Sequence, residues 1–208
     1  MDSQNTRVTL IGRLRDLDDA DAWSEFVGLY GPVIINFCRK RGVADHDIED
    51  ISQEVLSALS QAIRNFEYDP KKGTFRSWMY RFVRNRLSRH WRWRDRHPDR
   101  GSGRTTVRKV IENQPGDDDL RFEQEWETDY RRRLFAWACS KVEPEVAPVT
   151  WEAFQLFAVK NLPVDAVAKQ LDIKPGAVYV AKSRVVSRIR ETVAGVTEGW
   201  DPDLDVLG

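Results

Sequence analysis

Apolar residues recur at helical spacing along almost the whole of this chain, and that periodicity decides its fold class. Ile48, Ile51, Val55, Leu59 and Ala62 follow one another at i, i+3, i+7, i+11 and i+14, the pattern of one buried helix face. No run of alternating β-branched residues bounded by hairpin turns interrupts it. The expected fold is all-α, with helices over 8–15, 20–41, from Asp45 or Asp47 up to a loop at 66–73, then 74–94, 120–142, 150–160, 164–171 and 175–190. The punctuation agrees: Asp18 and Asp19 are N-cap candidates, Gly42 sits where a left-handed helix end is expected, Pro70 and Gly73 mark the loop, and Thr74 caps the helix after it. Pro98, Gly101, Ser102, Gly103, Pro115 and Gly116 make the stretch 95–119 a polar linker by composition. It separates two small helical domains, expected at 8–94 and 120–194, and an acidic tail follows at 195–208.

Charge then narrows the function. The 208 residues hold 33 Lys and Arg against 33 Asp and Glu, and a sum of zero argues for no polyanionic partner. The distribution argues the reverse. Between Lys71 and Lys109 fourteen basic residues face only Asp95 and Asp99, a net charge of +12. Between Glu112 and Asp129 eight acids face Arg121 alone, a net −7, and Lys174, Lys182, Arg184, Arg188 and Arg190 then form a second basic block without an acid. Sign-separated blocks of this density point to a polyanion-binding surface, because a merely solvated helix face mixes its signs. Cys38 and Cys139 are too few for a disulfide framework and are not spaced as metal ligands, so they read as helix-face residues in a reducing compartment. With no apolar signal core at the start and no stretch near the ~18 apolar residues of a membrane span, no membrane insertion is expected and the expected address is the cytoplasm.

Three segments carry the chemistry. Residues 164–171, the turn Asp172-Ile173-Lys174 and residues 175–190 form a helix-turn-helix pattern, with Pro175 at a first-turn position. In the second helix Val178, Ala181, Val185 and Ile189 fall on one side. Gly176, Tyr179, Val180, Ser183 and Ser187 fall opposite, flanked by Arg184 and Arg190: a narrow face able to enter a major groove with cations beside it. The helix over 74–94 places Phe75, Trp78, Met79, Phe82 and Val83 on an expected core side and Ser77, Arg81, Arg84, Ser88 and Arg92 on the far side. The adjoining loop holds Phe66 and Tyr68, rings on which an unstacked base could rest. Trp91 and Trp93 either stack on bases or cover the end of the core. Finally, Asp47, Asp50, Gln53 and Glu54 share a helix face. No histidine or third ligand joins them at ligand spacing, so they read as a docking face for a basic partner, not as a catalytic or metal site.

Two of these motifs, Asp47-Ile-Glu-Asp-Ile-Ser-Gln-Glu-Val55 and Gly73-Thr-Phe-Arg-Ser-Trp-Met-Tyr-Arg-Phe-Val-Arg-Asn85, resemble region 2 of the extracytoplasmic-function sigma factors, small two-domain members of the sigma-70 family of bacterial RNA polymerase. The carboxy-terminal helix pair is similar to their region 4. The resemblance covers about 20–94 and 130–190. It implies a protein without catalysis or cofactor of its own that binds core polymerase, through its β′ clamp helices and β subunit, and directs recognition and melting of promoter DNA. Asp47, Asp50, Gln53 and Glu54 are then expected to dock on polymerase. Phe66, Tyr68, Lys72, Arg76, Arg81, Arg84, Asn85, Ser88 and Arg92 are expected at the −10 element, with a flipped base near Phe66 and Tyr68. Lys174, Gly176, Ala177, Tyr179, Val180, Ser183, Arg184, Ser187 and Arg190 are expected at the −35 element as duplex.

An anti-sigma factor is a further possible partner implied by the family, and the linker is expected to thread toward the polymerase channels. Where the family often shows Thr-Val-Lys-Ser-Arg, this chain has Ala177-Val-Tyr-Val-Ala181, which favours contacts to thymine methyls over guanine. The alternative reading of the same motifs is a stand-alone helix-turn-helix regulator.

Overall fold

A computed structural model describes residues 10–64, 66, 74–96 and 117–197, with side chains described at all of these except 93–96 and 117–119. The elements are α1 (Leu10–Arg13), α2 (Ala20–Lys40), α3 (Asp45–Arg64), α4 (Phe75–Arg96), α5 (Asp117–Val142), α6 (Pro148–Phe154), α7 (Val164–Leu171) and α8 (Pro175–Thr197). No strand occurs among the described residues, so the fold is all-α as the periodicity requires. Among them, too, no helix is long and apolar enough to cross a membrane.

The ends of α2 show how local chemistry sets these bounds. Asp19 caps it by accepting from the Ala22 N–H at 2.9 Å, and Arg13 forks onto the same carboxylate at 2.8 and 2.7 Å, tying α1 to the start of α2. At the other end Gly42, with φ of 75°, donates to the Arg39 carbonyl at 3.0 Å, and Val43 donates to that of Cys38 at 3.2 Å. That is the paired 5→2 and 6→1 closure of a Schellman motif. Within α2, Pro32 lacks the N–H that would bond the Gly28 carbonyl. Arg133 supplies the missing donor, its Nη2 reaching that oxygen at 2.7 Å.

The chain divides into two compact units, and the division falls inside α5, between Arg133 and Leu134. In the first, α2 contributes Phe26, Leu29, Tyr30, Ile34 and Phe37 to the core, α3 contributes Ile48, Ile51, Val55, Leu59 and Ile63, and α4 contributes Phe75, Met79, Tyr80, Val83, Leu87 and Trp91. Ile63, not Ala62, closes the α3 stripe, since four residues advance a helix face more nearly by one turn than three do. The first half of α5 completes this core. Trp126 lies edge-on to Phe37 at 5.4 Å and tilted against Tyr80 at 6.2 Å, and Tyr130 stacks on Tyr30 at 5.4 Å with their hydroxyls 3.1 Å apart. The sequence boundary at 95–119 therefore differs from the structural one: a charge run hides two aromatic anchors.

The second unit is built around the helix pair. Ala153, Leu156, Val167, Ala168, Val178 and Ala181 form its central cluster, with Phe157, Val164, Leu171 and Ile173 against them. α6 opens on Pro148 and its chain continues in a π-type turn, Gln155–Val159, that ends at Asn161 with φ of 56°. Asp172 turns α7 into α8 at φ of 53°, a left-handed conformation that aspartate tolerates, while the Ile173 N–H reaches the Ala168 carbonyl at 3.0 Å. The helix expected to stop near Arg190 continues to Thr197, because Val193 and Val196 extend its buried stripe.

Candidate nucleic-acid interface

In α4 the solvent face is rotated from the one expected. Phe75, Met79 and Val83 are buried as expected and Leu87 with them, but burial continues round the helix through Arg76 and Tyr80, which meet Glu127 and Trp126 of α5, and through Ser88. Trp78 and Phe82, expected in the core, are half-exposed, and they share a face with exposed Arg81, Asn85, Arg89 and Arg92. The cause is the extra helix: a bundle with α5 against α2 and α4 buries a wider arc than α3 alone could cover.

Arg76 and Ser88 are thus corrections to the expected DNA-facing set. Arg76 is 7% exposed and ion-paired with Glu127, which also accepts from Arg131 at 2.6 Å; Ser88 is 6% exposed. Arg84 is half-buried, while Arg81, Asn85 and Arg92 are exposed. Phe66 does not project freely: its ring lies 4.4 Å from Trp78 and 5.6 Å from Phe75, and its carbonyl accepts from Arg15 at 2.8 Å. Phe82 continues the row at 5.6 Å from Trp78, with the Arg86 guanidinium 5.4 Å over its ring. Phe66, Trp78, Phe82 and Arg86 therefore form a ladder of rings closed by a cation beside the arginine face. Trp91 is buried, which decides between its two readings, whereas Tyr68, Lys72 and the Trp93 side chain lie outside the described residues. Phe66 belongs to the expected set, whereas Trp78, Phe82, Arg86 and Arg89 do not. The i, i+4, i+8 spacing of Trp78, Phe82 and Arg86 is the signal for them in the sequence, although aromatics at helical spacing more often mark a core.

On α3, Asp50, Gln53 and Glu54 are exposed and Asp47 is half-buried, its carboxylate 3.5 Å from His46. Asp50, Gln53 and Glu54 line a polar groove of about 620 Å³ with Ser57, Gln61 and Arg86. On the other side of the helix an apolar groove of about 830 Å³ runs between Val27, Ile35, Ile48 and Leu56, and the buried Ser52 hydroxyl on its wall has no hydrogen-bond partner. No group of His, Cys, Asp or Glu among the described residues could hold a metal ion.

In α8 the expected core residues Val178, Ala181, Val185 and Ile189 are buried, and Lys174, Gly176, Ala177, Ser183, Arg184 and Arg190 are exposed. Tyr179 and Val180 are the most exposed large apolar side chains of the helix, at 55% and 57%. Phe157 holds the edge of the Tyr179 ring at 5.3 Å and carries Lys182 at 5.6 Å from its own ring. Ser187 is engaged with Glu191 at 3.2 Å.

The family model for sigma-70 region 2 matches residues 26–97, which span α2 to α4 and the face just described. An ECF RNA polymerase sigma factor of Streptomyces griseus subsp. griseus, ShbA, is 27% identical over 199 residues, covering 90% of this chain and 97% of the relative. The chain belongs to the sigma-70 family. It is a sigma factor of the extracytoplasmic-function group, directing transcription initiation, and the comparisons lend nothing to the stand-alone regulator. In this sigma factor the region 2 match ends near the end of α4, so the α5 half that completes the first core lies beyond the matched segment.

Proposed function

We propose that this sigma factor divides its work among three helix faces. The exposed acid and amide face of α3 (Asp50, Gln53, Glu54) docks on the β′ clamp helices of core RNA polymerase. The exposed face of α4 (Arg81, Asn85, Arg89, Arg92), with the ring ladder of Phe66, Trp78 and Phe82, holds the melted −10 strand. Cations there neutralise phosphates while rings offer stacking surfaces, the combination by which single strands are held without catalysis. The −35 duplex is taken by α8, where exposed Ala177, Tyr179 and Val180 favour thymine methyls, and Lys174, Arg184 and Arg190 flank them for phosphates.

One observation supports the reading most. Within one unit, Asp50, Gln53 and Glu54 of α3 are exposed along a polar groove and Arg81, Asn85, Arg89 and Arg92 of α4 are exposed on their own helix, so an acidic and a basic surface are both open to partners. The test is run-off transcription with core polymerase and a promoter library. A productive promoter set is expected from the intact protein and not from an Asp50→Lys, Gln53→Lys double variant. Equal transcription from both refutes the docking face, and no transcript from either refutes the function.

A further inference from the structure

The first half of α5 sets an acidic face onto α2 and α4. Glu125 pairs with Arg41 at 3.2 Å, Glu127 with Arg76, Asp129 with Lys40 at 2.7 Å and Asn36 at 2.8 Å, and the Ser77 hydroxyl donates to Glu123 at 3.1 Å. Glu123 and Glu127 meet α4 on one flank of the buried Trp126–Tyr130 stripe and Glu125 and Asp129 meet α2 on the other, so carboxylates occupy cations and a hydroxyl that could otherwise take phosphates.

Closure is incompletely compensated. Arg41 is 2% exposed, yet its Nε and Nη2 have no hydrogen-bond partner, and its guanidinium rests on the rings of Phe122 at 3.5 Å and Phe37 at 4.6 Å. Burial lowers the Arg41 pKa despite Glu125 beside it, so this cation is held at a cost. In the other pairs one side chain is open and the other covered, Lys40 at 41% against Asp129 at 15% and Glu127 at 30% against Arg76 at 8%, so salt and a competing polyanion reach one side of each.

We propose that the first half of α5 is an acidic latch over the α2–α4 face, and that its release uncovers Arg41, Arg76 and Ser77 for a single-stranded nucleic acid. The uncovered face joins these groups to the rings of Tyr30, Phe37 and Tyr80, a composition on which unstacked bases settle. The proposal rests on reading α4 as the strand-binding helix and extends that surface to a side now covered.

The test uses the full chain with Asn36→Cys and Asp129→Cys, positions whose native side chains meet at 2.8 Å, while Cys38 and Cys139 are buried. A short bis-maleimide then holds the latch shut. Fluorescence anisotropy with a labelled single-stranded oligonucleotide should show binding weakened about tenfold by the crosslink. Equal affinity with and without it overturns the latch and leaves the α4 reading standing, whereas no binding by either form overturns both. A second readout needs no cysteine: on adding the oligonucleotide to the unmodified chain, hydrogen exchange over 120–133 should accelerate. Unchanged or slower exchange there with the strand bound overturns the proposal.

Discussion

Single residues show where a side chain's chemistry is used for folding and where it is left for a partner. Gly42 is needed for its backbone: a Cβ there meets nothing within 4 Å, so Gly42→Ala should cost only the left-handed conformation, about 1 kcal/mol, measured by urea unfolding. The Asp19 carboxyl is held below its ordinary value of 3.8 by the Arg13 fork first and the Ala22 N–H second. Its contribution to stability is therefore present above that ordinary value and fades as pH falls through the lower folded-state value. In an acid titration of thermal stability, Asp19→Asn should flatten the fall over that window. Burial pushes the Cys38 thiol up to about 12 and that of Cys139, with Glu143 adding to the effect, up to about 11. Neither should react with a maleimide or aromatic disulfide at pH 8 until the chain unfolds, since the thiolate is the reacting form.

Elements show why two arginines five positions apart on α4 have different work. Arg76 is buried against Glu127, and Arg76→Ala should destabilise the protein by about 3 kcal/mol by leaving a carboxylate with reduced pairing. Arg81 is exposed, and Arg81→Ala should change stability by less than about 0.5 kcal/mol while lowering the salt slope of single-strand binding by about one. Urea unfolding and a salt titration separate the two; the same stability loss for both would contradict the helix rotation described. On α5, Trp126 and Tyr130 anchor a helix whose flanks are held by charges. Trp126→Ala should raise hydrogen exchange over 120–133 while the α2–α3 core stays protected.

At the scale of the whole molecule, the two units carry separate cores. Val185 is fully buried in the second unit, and Val185→Ala should lower that unit's melting temperature by a cavity and transfer cost of about 2 kcal/mol. Two calorimetric transitions are expected, of which only one should move; a common shift of both would show a single cooperative block.

How much of this was legible depends on the kind of signal. The helix-turn-helix read directly, because Val178, Ala181, Val185 and Ile189 obey a period set by their own helix and packed only by near neighbours in sequence. So did Gly42 and Asp19, whose roles are fixed within a few residues of chain. The facing of α4 did not read. Phe75, Trp78, Met79, Phe82 and Val83 make a convincing apolar stripe, and only the arrival of Trp126 and Tyr130 from some fifty residues away moves burial to Arg76, Tyr80 and Ser88. The pairing of Glu125 with Arg41 and of Glu127 with Arg76 did not read either, because carboxylates that pair with distant arginines look, in sequence, like carboxylates that face water.

Periodicity, caps and charge blocks by themselves determined an all-α chain with a region 2-like face and a helix-turn-helix, since each depends on interactions within one or two helical turns. Which arginines meet solvent, which rings stay open and where the first core ends were decided only when α5 folded back onto α2 and α4. Burial is a property of the partner surface, and that partner is distant in sequence.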